Sequence, residues 1–157
     1  MNPSPLDTRD PLTATILALF RANGHMLRWG DHFAQPFDLT SARWQMLGAL
    51  AASPLPLTAP QMAIQMGVSR QGALKQLNLL LDDGLVERHP NPYHKRSPLY
   101  RLSASGLERY QRIDAAWSRH ADQVRADFDL EALNTTLHVL KKIQERHPTQ
   151  EDEGEAA

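Results

Sequence analysis

Between Thr58 and Leu102 the chain places two short helical segments, a glycine turn, a glycine stop and a basic hairpin in immediate succession. Few folds accept that order. Thr58 and Gln61 are three apart, the spacing of a capping box, and Pro60 sits in the first turn, where its missing N–H costs little. This segment ends near Gly67. Ser69 caps a longer segment that runs to Gly84, which stops it as a C′ glycine does. Leu74, Leu77, Leu80 and Leu81 are expected to form its buried face. Leu85–His89 and Leu99–Leu102 then read as two strands, joined by the proline-rich tip HPNPYHKRSP. Two short helices around Met66-Gly67-Val68-Ser69 make a helix-turn-helix, and the hairpin behind it makes a wing.

The flanking segments are helical by period. Leu12, Ile16, Leu19, Phe20 and Leu27 recur at helical spacing from Asp10 to about Gly30, with Asp10 and Pro11 as cap and first residue. GDHFAQPFDL reads as irregular. Thr40 opens a helix to about Ala52, with Trp44, Leu47, Leu50 and Ala51 on one side, and Leu55 and Leu57 suggest a very short strand. After the hairpin, Ser103 or Ser105 caps a long helix, Ser105 and Glu108 forming a second capping box. Its face is Leu107, Tyr110, Ile113, Trp117, Val124 and Phe128. Asp129 opens a last helix with Leu130, Leu133, Leu137 and Leu140 in a near-heptad stripe. The expected fold is mainly α with a small β-hairpin wing: a winged helix-turn-helix lobe plus a helical dimerisation region. Residues 1–37 form an N-terminal dimerisation helix and linker, 38–102 the lobe, 103–147 the C-terminal dimerisation helices, and 148–157 a disordered acidic tail.

Charge separates the middle from the ends. Residues 60–112 carry eight basic side chains against four acidic ones, within a chain whose net charge is −1. A basic middle between acidic flanks suits an anionic partner, although ordinary surface scatter gives the same count. If Leu74, Leu77 and Leu81 are buried, the second helix of the motif presents Gln71, Gly72, Lys75 and Gln76 outward, with Arg70 in its first turn. Gln pairs bidentately with adenine, Arg and Lys with guanine, and a helix N-terminus around Ser69 suits a phosphate. Gly72 reads either as room for close approach to DNA or as a weak point tolerated near a helix start. The alternative to DNA binding is a winged-helix protein-interaction module.

Four blocks carry a resemblance: Leu39-Thr40-Ser41-Ala42-Arg43-Trp44-Gln45-Met46-Leu47, Met62 to Gln71, Leu81 to Arg88, and Arg101-Leu102-Ser103-Ala104-Ser105-Gly106. In this order and spacing, over about residues 10–147, the chain resembles the MarR family of bacterial winged-helix regulators. The resemblance implies an obligate homodimer paired through the first, fifth and sixth helices. It implies that Ser69, Arg70, Gln71, Lys75 and Gln76 read the major groove of double-stranded DNA at a pseudo-palindromic operator, and that the wing reaches the neighbouring minor groove. Family wings commonly carry an acidic residue two before an arginine. Here the tip is Asn91-Pro92-Tyr93-His94-Lys95-Arg96 and lacks it, which leaves Lys95 and Arg96 either as DNA contacts or as a solvated basic loop.

Family members often bind small anionic or aromatic effectors. His25, Arg28, Trp29, His32 and Trp44 could supply such a pocket, or be plain packing and surface charge. The chain has no cysteine, so thiol chemistry, iron–sulfur clusters and Cys-ligated zinc are excluded. Its histidines show no HxxxH or HExxH spacing, and no metal or other cofactor is expected. No phosphate loop, GxSxG or paired catalytic carboxylates occur, so the chain is not read as an enzyme. The opening residues lack the pattern of a signal peptide, and the uncharged run 44–69 is broken by prolines, so no membrane span is expected. The setting implied is the bacterial cytoplasm.

Overall fold

The computed structural model describes residues 10–149. The acidic tail expected at 148–157 lies outside the described residues from Gln150 onward. Helices α1 (Pro11–Ala34), α2 (Ser41–Ala52), α3 (Ala59–Met66), α4 (Arg70–Asp82), α5 (Ala104–Val124) and α6 (Leu130–Arg146) account for most of them. Strands β1 (Leu57–Thr58), β2 (Val86–His89) and β3 (Leu99–Leu102) form one antiparallel sheet in the order β1-β3-β2. Two compact units divide within α2, one ending at Trp44 and the other starting at Gln45.

In the first unit Asp10 caps α1 by accepting the N–H groups of Leu12 and Thr13. The helix does not stop at Gly30 but continues to Ala34, so much of the stretch expected to be irregular is helical. Gly30 is buried, and a Cβ there would stand 2.6 Å from Ser41 Oγ. This glycine makes room rather than a stop. The Asp31 carboxylate accepts the Ser41 N–H at 2.8 Å and so fixes the start of α2. The chain turns instead through Gln35–Phe37 and a left-handed Asp38 (φ 55°).

In the second unit Met46, Leu47 and Leu50 of α2 are buried, as are Met62, Leu77, Leu80, Leu85, Tyr100 and Ile113. Ala51, expected inward, is exposed. Leu55 is also exposed and lies outside β1, whose Leu57 pairs with Tyr100. Helices α3 and α4 end alike. Gly67 and Gly84 take left-handed conformations (φ 61° and 70°), with Val68 N–H donating to Ala63 O and Leu85 N–H to Leu80 O. This is the Schellman pattern, which glycine enters without strain.

Ser103, not Ser105, caps α5: its Oγ accepts the Gly106 N–H at 3.0 Å and donates to Gly84 O at 2.7 Å. The hydroxyl thus ties the helix start to the chain entering β2. Ser103→Ala is expected to cost about 1–2 kcal/mol, whereas Ser105→Ala should leave stability nearly unchanged. Urea denaturation of the two variants checks this, and equal losses would contradict the assignment. Asp129 caps α6 through the Ala132 N–H. The α6 stripe is uncovered: Leu130 is 72% exposed and Leu137 65%.

Candidate nucleic-acid interface

The helix-turn-helix is built by its caps. Thr58 and Gln61 form the expected reciprocal box, Thr58 N–H donating to Gln61 Oε1 at 2.9 Å and Gln61 N–H to Thr58 Oγ1 at 3.3 Å. After Gly67, Ser69 Oγ accepts the Gly72 N–H at 3.0 Å and so starts α4. That cap also bears on Gly72, because a Cβ there would sit 3.2 Å from Ser69 Oγ. Space for the cap is therefore a local reason for this glycine, separate from both sequence readings.

The buried face of α4 is Ala73, Leu77 and Leu80. Leu81 is half-buried and Leu74 is 43% exposed, so Leu74 does not belong to the core as expected. The helical turn of about 100° per residue explains the shift. Ala73 takes the central core position, which swings Leu74 about 100° towards the surface. Gln71, Lys75, Asn78 and Asp82 then point outward and are exposed, while Gln76 is half-buried on the flank. Ser69 and Arg70 are exposed at the helix start.

The wing pairs Val86 with Leu102, Glu87 with Arg101, Arg88 with Tyr100 and His89 with Leu99. Alternation puts Tyr100 inside and Glu87, His89 and Arg101 on the other face. Burial raises the Tyr100 hydroxyl pKa, partly offset by Arg88. Glu87 Oε2 accepts from Arg101 Nε and Nη2, each at 2.9 Å, and lies 3.2 Å from His89 Nε2. The Arg101 hydrogen bond, and then that of His89, holds the Glu87 carboxyl below the usual carboxylate range. An arginine oriented by an acid is thus present, but at the base of the wing rather than its tip.

The tip is ordered by Asn91. Its Nδ2 donates to Ser97 O at 2.9 Å and its Oδ1 accepts the Tyr93 N–H at 3.0 Å. His94 N–H donates to Asn91 O, and Ser97 N–H to His94 O. Asn91 therefore closes the loop that the missing acidic residue left in question. Sequence reasoning passed over it, although Asn before Pro is a turn signal. Tyr93 is 96% exposed and does not pack the tip. Lys95 and Arg96 are exposed.

These parts meet. Thr58, Ala59 and Pro60, Arg70, Gln71 and Leu74 of α4, and Asn91, His94, Arg96 and Ser97 of the wing line one concave surface of about 590 Å³. A second, of about 380 Å³, runs along α4 over Gln71, Leu74, Lys75, Asn78, Leu79 and Asp82. The expected residues Arg70, Gln71 and Arg96 share the first, and Gln71 and Lys75 share the second. Ser69, Gly72, Gln76 and Lys95 line neither. The combination of guanidinium, amide and ammonium groups on a concave face suits phosphates and base edges.

The effector candidates lie in the first unit. Trp29 stacks on Phe33 at 4.9 Å between ring centroids, and Phe33 meets Trp44 at 5.3 Å. The two tryptophans are thus joined by a ring that the sequence pattern does not single out. The Arg28 guanidinium lies back along its own helix, 3.6 Å from the Cβ position of Gly24. His25 and His32 are exposed. Among the described residues no group of three or more His, Asp or Glu side chains is placed to hold a metal ion. No helix among them is long and apolar enough to cross a membrane.

Comparison with known proteins agrees with this architecture. The MarR family model matches residues 37–97. An uncharacterized protein of Mycobacterium tuberculosis, Rv2011c, is 36% identical over 138 residues, covering 85% of this chain and 92% of its own. The Staphylococcus aureus MepR–DNA complex shares the fold at a TM-score of 0.71 and 20% identity, covering 83% of this chain and 96% of MepR. The M. tuberculosis regulator MosR, also solved with DNA, does so at 0.68 and 21%, covering 83% and 96%. With the capped helix-turn-helix, the three-stranded wing and the family model falling on the same residues, the chain belongs to the MarR family, whose members are transcription regulators and not enzymes.

Proposed function

We propose that this chain is a homodimeric, sequence-specific DNA-binding regulator of the bacterial cytoplasm that represses by occupying a pseudo-palindromic operator. The observation that carries the reading is the concave surface shared by Arg70 and Gln71 of α4 and by His94 and Arg96 of the wing. One element offers hydrogen-bonding groups, the other a cationic tip, and a duplex groove beside its phosphate ridge presents the complement. Ser69, Arg70, Gln71, Lys75 and Gln76 address the major groove. Gly72 leaves room at the helix start. Lys95 and Arg96 address phosphates or a narrow minor groove. The dimer is supported by the uncovered α6 stripe, and MepR and MosR, of the same fold, were solved with DNA. A small anionic or aromatic effector would act at His25, Arg28, Trp29, His32 and Trp44. Trp29 stacks on Phe33 and Phe33 meets Trp44 at a tilt, so an aromatic effector there would compete with these ring contacts.

The test separates the two elements. Gln71→Ala should cost about 1–3 kcal/mol of discrimination per half-site while leaving random-duplex binding nearly intact. Lys95→Ala with Arg96→Ala should weaken every sequence alike and lower the salt slope by about one for each phosphate no longer neutralised. Titration of a selected duplex and a random duplex at several salt concentrations reads both. A wild-type chain without affinity or salt slope would refute DNA binding.

A further inference from the structure

Leu74 departs from its sequence pattern. It falls on the leucine stripe of α4, yet it is 43% exposed and lines both concave surfaces, the one towards the wing and the one along the helix. Its neighbours there are Gln71 one turn before it, Lys75 beside it, Asn78 one turn after it, and a second exposed leucine, Leu79. An exposed leucine is ordinary on most surfaces. On a face that also carries amides and a cation it is a different matter, because an isobutyl group seated against base edges leaves a polar group there without its hydrogen bond unless it meets an apolar one. The floor of the major groove offers one apolar group, the C5 methyl of thymine. Gln71 at i−3 and Asn78 at i+4 lie on the same side of the helix and carry the amide that pairs bidentately with adenine, thymine's partner.

We propose that Leu74 is a specificity-determining residue that packs on a thymine methyl in the major groove, so that α4 selects A·T pairs through an apolar contact between two amides. The inference rests on the DNA-binding reading above and names what one side chain recognises within it. Lys75 beside it supplies charge but no preference among bases of equal acceptor pattern. The methyl contact distinguishes thymine from every other base, including uracil, which differs by that group alone.

The experiment uses the full chain. A preferred duplex is first selected from a random-sequence pool with the wild-type protein. Each thymine is then replaced in turn by deoxyuridine, which removes only the methyl. The wild type is expected to lose about fourfold in affinity for each contacted methyl removed. Leu74→Ala should bind the thymine duplex correspondingly more weakly and be indifferent to deoxyuridine at that position. Leu74→Thr, which keeps a methyl group one bond beyond Cβ where alanine ends, should recover part of the sensitivity and serves if the alanine variant folds poorly. Sensitivity to deoxyuridine unchanged in both variants would overturn the proposal, as would a wild type insensitive at every thymine. A pool from which no sequence is enriched would overturn the DNA-binding reading itself, and this inference with it.

Discussion

Gly106→Ala is expected to lower stability by about 3 kcal/mol or more, at the upper end of what overpacking costs. For a chain of this length that corresponds to a fall in Tm of roughly 6–12 °C. The reason is geometric. A Cβ on Gly106 would stand 1.8 Å from the Leu85 carbonyl oxygen, 2.8 Å from its carbon and 3.2 Å from its Cα. All three obstacles are backbone, so no rotamer change relieves them. That carbonyl already accepts the Ser103 N–H at 3.1 Å, and Ser103 Oγ holds Gly84 O. Moving Leu85 therefore disturbs the cap of α5, the left-handed exit of α4 and the entry to β2 together. Gly72 provides the contrast, since its nearest obstacle is the Ser69 hydroxyl, a side chain that can turn. Thermal unfolding by circular dichroism is the measurement. A Gly106→Ala protein melting within a degree or two of the wild type would show that the close approach is not structural.

Leu137→Asp is expected to dissociate the proposed dimer. Leu130, Leu133 and Leu137 lie along one side of α6, exposed to 72%, 40% and 65%. A helix with a spaced leucine stripe and no buried residue of its own gains little from its own chain. Most helical stability comes from packing an apolar face. If a second copy covers that stripe, each aspartate carries an unpaired carboxylate into the interface. Leaving a charge buried and unpaired costs about 3–5 kcal/mol, which raises the dimer dissociation constant by roughly two to three powers of ten or more. Sedimentation at micromolar concentration should then show monomer, with the lobe still folded by circular dichroism. An unperturbed dimer would place the interface elsewhere.

Much of this architecture is legible in the sequence because it is encoded locally. Asp10 with Pro11, Thr58 with Gln61, Ser69, Gly67, Gly84 and Asp129 each act on the backbone within a few residues, and each stands where its residue type predicts. The wing strands are legible for the same reason, being bounded by prolines and a stop glycine. Of the candidate site residues read from the sequence, Arg70, Gln71 and Arg96 line one surface, and Gln71 and Lys75 the outer face of α4. The misreadings concern side chains whose role depends on distant partners. Gly30 looks like a helix stop and is a buried spacer beside Ser41. Ser105 with Glu108 has the spacing of a capping box, but Ser103 caps because Gly84 lies within reach of its hydroxyl. Asn91, which the sequence reading passed over, orders the wing tip through Ser97.

The order of elements, most of their ends and the family follow from the amino-acid sequence alone, since caps, turn glycines and hydrophobic period work through neighbouring residues. Which face of each element is used depends on packing. A leucine at position 74 satisfies the period of the helix equally well as core or as surface. Ala73, placed at the centre of the buried face, assigns Leu74 to the outside. Likewise Gly106 carries no signal of its own until Leu85, far away along the chain, arrives where its Cβ would have been. Period and capping act along the chain, whereas space is shared between segments, and for that reason it is settled only when they pack.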